Sequence, residues 1–236
     1  MLHSIDIAVL KYINGFARKS QAFDIIYTHG FQLTSARFLP IVTCMVWLWF
    51  GSGELNDELS QRRFRLLQAV LGALVGPFIS RIIQHASPIY RDRPLHTAEL
   101  DFVLPFGVTT DQLHEWSSFP SDNAALAFAL AMGIWRVSRP LGWLCFAWAL
   151  FVVSLPRVYA GYHYPGDIVG GAIVGIVAML AFGKLTENPT VIQGVAAVQR
   201  RWPGLFYSAC FVALFYITTQ FEDLRKIGSR LVEMVS

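Results

Sequence analysis

Residues 202–221, WPGLFYSACFVALFYITTQF, carry no charged side chain over the whole run. A helix of about 20 mostly apolar residues matches the hydrocarbon core of a bilayer. Apolar runs also occupy 36–51, 64–86, 118–136, 140–157 and 165–185, and with 203–221 they predict six crossings. Composition agrees: 54% of residues are hydrophobic and 15% charged, against about 25% charged in soluble domains. Mean hydropathy is +0.46. Glycine and proline inside these runs (Gly72, Gly76, Pro77, Gly170, Gly171, Gly175) are tolerated in lipid and let helices approach closely. The expected fold is all-α, a single integral membrane bundle over 1–236 with about six transmembrane helices.

The first residues differ from these runs. Leu2, Ile5, Val9, Tyr12 and Phe16 form a stripe at helical spacing, but the segment is too polar to span. Residues 1–33 therefore read as an interfacial amphipathic segment, or as a helix laid on the bundle. Asp6, Lys11, Arg18 and Lys19 interrupt the compact apolar region that a secretory signal needs. A net charge of +3 without a long basic block argues against nucleic acid. Cys44, Cys145 and Cys210 lie inside apolar runs and read as small buried hydrophobes, not metal ligands. The tail after Phe221 reads as a surface helix.

Six crossings place Arg62, Arg63, Arg65, Arg136, Arg139, Lys184, Arg200 and Arg201 on one side, which the positive-inside rule makes cytoplasmic. Three polar clusters fall on the opposite side: RDRP (Arg91–Pro94), PSDN (Pro120–Asn123) and PRVYAGYHYPGD (Pro156–Asp167). Alternating helix direction brings them to one end of a four-helix core, at the membrane boundary. Arginine forks suit phosphate oxygens. The start of the third apolar helix offers backbone N–H groups to an anion, and Ser121 a hydroxyl. His163 is a candidate nucleophile or base, with Asp167 placed to orient its ring. Pro165 suits the first position of the following helix.

These residues resemble the type-2 phosphatidic acid phosphatase family of membrane lipid phosphatases. Its pattern is K-x6-R-P, then P-S-G-H, then S-R-x5-H-x3-D. Arg157, His163 and Asp167 keep the spacing of the third part, with Pro156 in place of its serine; Arg93 and Pro94 match the first, Pro120 and Ser121 the second. The resemblance covers roughly 64–185, the expected catalytic four-helix core, leaving 203–221 as an additional transmembrane helix. It implies that His163 attacks phosphorus to form a phosphohistidine, that Asp167 orients it, and that Arg93, Arg157 and Ser121 hold phosphate oxygens. It implies no metal or other cofactor, and a site on the periplasmic or extracellular side of the plasma (inner) membrane. The partners are then a lipid phosphate and the bilayer, with no obligatory protein partner.

Three further positions depart from the pattern. Ala86 stands where the motif lysine would be, and Arg91 or Arg81 is the candidate replacement for its charge. Asp122 replaces the motif glycine, a variant familiar among undecaprenyl-diphosphate phosphatases, and joins Arg91 among the expected phosphate-site residues. Asn123 replaces the general-acid histidine. An amide donates a hydrogen bond but delivers no proton, and loss of a general acid costs about 10²–10⁴ in rate. His114, His96 and Asp122 are the nearby candidates for a substitute acid. The implied function is a lipid phosphatase weakened or inactivated at Asn123, whether that residue is natural or introduced. Undecaprenyl diphosphate is the first-choice substrate, because a lipid monophosphate leaves more easily than an alkoxide. Phosphatidic acid or phosphatidylglycerol phosphate hydrolysis, lipid phosphotransfer and non-catalytic lipid-phosphate binding are the alternatives. A transporter would place its polar groups nearer the bilayer midplane.

Overall fold

A computed structural model describes residues 2–31, 33–51, 57–86, 90–110 and 117–220. The tail after Phe221 and His114 lie outside the described residues. Ten α-helices follow in chain order: α1 (Leu2–Asn14), α2 (Gln21–Ile25), α3 (Thr34–Phe50), α4 (Asp57–Ala86), α5 (Asp122–Trp135), α6 (Arg139–Trp148), α7 (Leu155–Tyr159), α8 (Pro165–Thr186), α9 (Pro189–Arg201) and α10 (Pro203–Thr219). A π-helical stretch, Ala149–Ser154, joins α6 to α7. No strand occurs among the described residues.

Among the described residues, three helices are long and apolar enough to cross a membrane: Ser60–Ala86, Arg139–Tyr159 and Pro165–Thr186. Two bent pairs, Gln21–Gly30 with Ser35–Phe50 and Pro189–Arg201 with Pro203–Thr219, raise the total to as many as five if each pair counts as one span. The expected sixth crossing, 118–136, is shorter than its apolar run. Ser121, preceded by Pro120, caps α5 and sets its start at Asp122, which leaves 14 residues. At 1.5 Å per residue that is about 21 Å, below the roughly 30 Å of a hydrocarbon core.

Helix α5 is the innermost element, with ten of its residues buried, among them Ala124, Ala125, Ala127, Ala129 and Ala131. It packs against α4 and α8, which also pack on each other. Small residues permit the approach. A Cβ on Gly175 would lie 2.0 Å from the Ala125 carbonyl oxygen, and one on Gly171 would lie 2.3 Å from that of Ser121. In lipid, where hydrophobicity does not drive helices together, such contact supplies the dispersion that does. At the end holding the arginine-rich connections, Gln68 Nε2 donates to the Gly183 carbonyl (3.0 Å) and to Thr186 Oγ1 (2.8 Å), while Arg136 Nη1 donates to Gln68 Oε1 (3.2 Å). This knot ties α4, α5 and α8 away from the motif residues.

Helix α1 lies against α7 and α8. Its stripe of Ile5, Val9, Tyr12 and Phe16 faces outward, whereas Leu10 is fully buried. The segment after α1 is stapled to the bundle by Asp24, which accepts from Tyr159 Oη (2.5 Å), Phe106 N (2.9 Å) and Arg18 N (3.0 Å).

The glycine contacts predict which substitutions matter. Gly171→Ala and Gly175→Ala should each destabilise by about 1–3 kcal/mol, because backbone stands in the way of the new methyl. Gly194, with nothing within 4 Å of its would-be Cβ, should tolerate alanine and gain up to about 1 kcal/mol of helix stability. Thermal unfolding of the three variants in detergent separates the two classes.

Candidate active site

The three polar clusters meet at one end of the α4–α5–α8 core, and backbone bonds lock them together. Ser118 N donates to the Arg91 carbonyl (2.9 Å), Ser121 N to the Asp167 carbonyl (3.0 Å), and Leu95 N to the Gly161 carbonyl (3.1 Å). Gln84 Nε2 in α4 holds the Pro120 carbonyl at 2.7 Å. Gly161 turns the chain toward His163 with φ +75, and a Cβ there would lie 2.7 Å from the Phe102 ring. Only glycine meets both demands.

His163 is 1% exposed. Its Nδ1 lies 2.9 Å from the Ser118 carbonyl oxygen and 3.7 Å from Asp167 Oδ2. A carbonyl only accepts, so Nδ1 carries the proton and Nε2 presents its lone pair. Nε2 is buried and has no hydrogen-bond partner within the protein. This is the form a nucleophilic imidazole requires. The expected orienting role is therefore divided: the Ser118 carbonyl fixes the tautomer, and Asp167 supplies charge from just beyond hydrogen-bond length. Burial pushes the His163 pKa below its ordinary 6.5, and Arg157 and Arg93 act in the same direction against the pull of Asp167.

Arg93 is 5% exposed and donates from Nη1 to the Tyr162 carbonyl at 2.7 Å. Burial, followed by repulsion from Arg157, brings its pKa down to about 10, so it stays charged at neutral pH. The Arg157 guanidinium carbon lies 5.6 Å from the Tyr162 ring centroid. Ser121 is fully buried, and its Oγ caps α5 by accepting from Ala124 N (3.4 Å). Its hydroxyl proton can still be donated. The first-turn amides of α5, expected to meet an anion, are engaged within the protein: Asn123 N donates to Asp122 Oδ1 (2.8 Å) and Ala124 N to Ser121. The arginines therefore carry most of the site's positive potential.

Arg91 and Asp122 stand in a different relation from the one expected. Arg91 spends both arms on carboxylates, Nη1 on Asp167 Oδ1 (2.7 Å) and Nη2 on Asp6 Oδ2 (2.6 Å). Burial lowers its pKa, but Asp167 and Asp6 outweigh that and raise it. It braces Asp167 and does not point a free fork at a phosphate. Asp122 takes Arg81 Nη2 at 2.6 Å; two acceptors cannot bond, so its carboxylate serves a phosphate only through that arginine. Arg81, one of the two candidates for the missing lysine charge, thereby sits at the site. Asn123 is buried, its Oδ1 accepting from Arg37 Nη1 (3.0 Å) and from Gln220 Nε2, its Nδ2 donating to Asp122 Oδ1 (3.0 Å). His96 lies in a short 3-10 turn, Pro94–His96.

Asp6, Arg37, Gln220 and Ser118 were not legible as site residues. Asp6 is one acid on an amphipathic helix, yet its Oδ1 also accepts from Gly166 N at 2.6 Å. Arg37 carried a usable signal, a charge at the edge of an apolar run, where ionisable residues are costly.

A model of the PAP2 superfamily matches residues 65–189. The bacitracin transport permease protein BcrC of Bacillus licheniformis is 29% identical over 144 residues, 61% of this chain and 62% of that protein. The undecaprenyl-diphosphatase BcrC of Bacillus subtilis strain 168 is 22% identical over 179 residues, 76% and 83% of the two chains. The lipid A 4'-phosphatase of Bacteroides thetaiotaomicron is 47% identical over 100 residues, 38% of this chain and 44% of that one. The chain thus spans less than two thirds of the first of these relatives. No solved structure matches.

The depressed His163 pKa predicts a pH profile. With the folded value below 6.5, the imidazole stays neutral as pH falls from 7.5 to 6.5, and only below the lowered value does the nucleophile take up its proton. The acid limb of kcat/KM for phosphate release, which reports the free enzyme, should fall below pH 6.5. A limb above 6.5 would contradict this reading of the site.

Proposed function

The chain belongs to the PAP2 superfamily, and from that membership and the geometry of the motif residues we propose that it is a membrane phosphatase acting on a polyprenyl diphosphate, undecaprenyl diphosphate first. The observation that carries the proposal is His163, buried, with Nδ1 anchored to a carbonyl and Nε2 unpartnered beside two arginines. In this reading Nε2 attacks the terminal phosphorus, forms a phosphohistidine and expels the lipid monophosphate; water then releases phosphate from the histidine. Arg93, Arg157 and the Ser121 hydroxyl hold the phosphoryl oxygens as charge shifts among them. The step draws on no metal. The likeness to an undecaprenyl-diphosphatase over 76% of the chain supports the choice of substrate.

We place the site at the periplasmic or extracellular face of the plasma membrane, with six passes, α5 being a short inner crossing, and α1 along the interface. The arginine-rich connections at the opposite end support that orientation, and the outward apolar stripe of α1 supports its place in the headgroup region.

A second reading, a lipid phosphate monoester such as that of lipid A, is favoured by the 47% identity over 100 residues to a lipid A 4'-phosphatase. Asn123 weighs against it, since a sugar alkoxide leaves poorly without a proton. Phosphate release from undecaprenyl diphosphate, lipid A and phosphatidic acid decides, measured for this chain, Asn123→His and His163→Ala. This chain should turn over the diphosphate and be slow on both monoesters. His163→Ala should abolish release. Asn123→His should raise monoester hydrolysis by about 10²–10⁴ and diphosphate hydrolysis by less. Binding of these lipids with no release by either the parent or Asn123→His would make the protein a lipid-phosphate binder.

A further inference from the structure

We propose that Arg37 is a positioning residue that orients and polarises Asn123, so that the site stabilises a departing phosphate anion in place of protonating it. The inference rests on the phosphatase reading above and assigns the part of the site that selects the bond to be broken.

Arg37 lies near the start of α3, outside the segment matched by the family model, and is 8% exposed. Its Nη1 donates to Asn123 Oδ1 at 3.0 Å. Gln220 Nε2, at the end of α10, donates to the same oxygen. A guanidinium only donates and a carboxylate only accepts, so Arg37 at one end and Asp122 at the other settle which end of the amide is oxygen. Asn123 Nδ2 therefore points away from both, with one proton on Asp122 Oδ1 at 3.0 Å and the other left to donate. Asp122 is held in turn by Arg81. Four elements, α3, α4, α5 and α10, thus converge on one side-chain amide. A guanidinium on the amide oxygen draws electron density from the nitrogen and strengthens its remaining N–H as a donor, a low-dielectric polarisation effect.

Asn123 sits in the first turn of α5, two residues after Ser121 and next to Asp122, whose charge interacts with His163 and Arg157. In the attack, a bond forms between His163 Nε2 and phosphorus. The bond from phosphorus to the bridging oxygen breaks, and its electron pair stays on that oxygen. No proton moves in this step, and Nδ1 keeps its own toward Ser118. The added negative charge on the leaving group meets the Asn123 N–H, backed by Arg37.

Whether this suffices depends on the leaving group. A lipid monophosphate has a last pKa of about 6, whereas an alkoxide leaves with a basicity near that of hydroxide, whose parent water has a pKa of about 15.7. A hydrogen bond answers the first need and not the second. The Arg37–Asn123 pair is therefore a specificity device for phosphoanhydrides over phosphate monoesters.

The test uses the full chain in detergent with undecaprenyl diphosphate and phosphatidic acid. Arg37→Gln and Arg37→Lys are made in the parent and in the N123H background, with size-exclusion profiles to confirm folding. In the parent, Arg37→Gln should lower kcat on the diphosphate about 10²-fold, the order of losing one transition-state donor, while KM changes by less than about threefold. In the N123H background, where a proton replaces the polarised amide, the same substitution should cost less than about tenfold. Equal losses in the two backgrounds, or a raised KM with kcat intact, would overturn the proposal and leave Arg37 a structural or phosphate-binding residue. If Arg37→Gln does not fold, Arg37→Lys gives the same comparison across backgrounds. Turnover by the parent that Arg37→Gln leaves unchanged sinks this inference alone; no release from either lipid by any chain sinks the phosphatase reading and this inference with it.

Discussion

The carboxylate of Asp167 is fully buried, and the site end of the molecule is arranged around it. Its Oδ1 takes Arg91 at 2.7 Å, and its Oδ2 accepts from Tyr164 N at 2.8 Å while lying 3.7 Å from His163 Nδ1. Its backbone carbonyl accepts from Ser121 N at 3.0 Å. A buried charge is costly unless paired and hydrogen-bonded, so each of these groups is held in place by the penalty its departure would impose. One residue thereby caps α8 with its side chain, fixes the start of α5 with its carbonyl and sets the electrostatics of the candidate nucleophile. Asp6 extends the arrangement to α1, because the other arm of Arg91 ends there. An element that sequence treats as an accessory becomes part of the support of the histidine.

That support works only because α4, α5 and α8 approach so closely. Gly171 lies against the Ser121 carbonyl and Gly175 against that of Ala125. The same two contacts that supply dispersion in lipid also set the spacing between the helix ends from which Ser121 and Asp167 emerge. The Gln68–Arg136–Gly183 knot at the far end prevents the three helices from sliding. Stability and site geometry are therefore one packing problem here, and the glycines belong to both.

The sequence made the helical class, the apolar runs and the meeting of the three polar clusters legible, because hydropathy, motif spacing and alternating helix direction are local or additive properties. The length of each helix was not. The 118–136 run is apolar throughout, but the Ser121 cap begins α5 late and leaves it 14 residues, shorter than a full hydrocarbon core. Roles within the site were legible in part. That His163 stands between Arg157 and Asp167 follows from spacing; that Ser118 fixes its tautomer does not, since a backbone acceptor has no residue signature. Arg91 looked like Arg93, and only their partners separate them: two carboxylates hold the first, a carbonyl the second. Arg37 and Gln220 lie 86 and 97 residues from Asn123, and no local pattern ties them to it.

The electrostatics of Arg93 show why the pocket suits an anion. Burial and the nearby charge of Arg157 together bring its pKa down to about 10, so the folded chain holds the Arg93 charge drier, and nearer a like charge, than a free guanidinium would be. One pKa unit is about 1.4 kcal/mol of such cost. Burial first, and then the same two charges, lower the His163 pKa, so Arg93 and the imidazole are depressed for the same kinds of reason. In the reaction proposed above, a phosphoryl group would bring Arg93 and Arg157 the opposite charge, while the histidine nitrogen it meets is neutral. Asp167 is bound to Arg91 and Asp122 to Arg81, and the charges of both acids also act on Arg93. The acids brace the outer arginines, and the proposed function assigns the phosphoryl oxygens to the inner pair, Arg93 and Arg157.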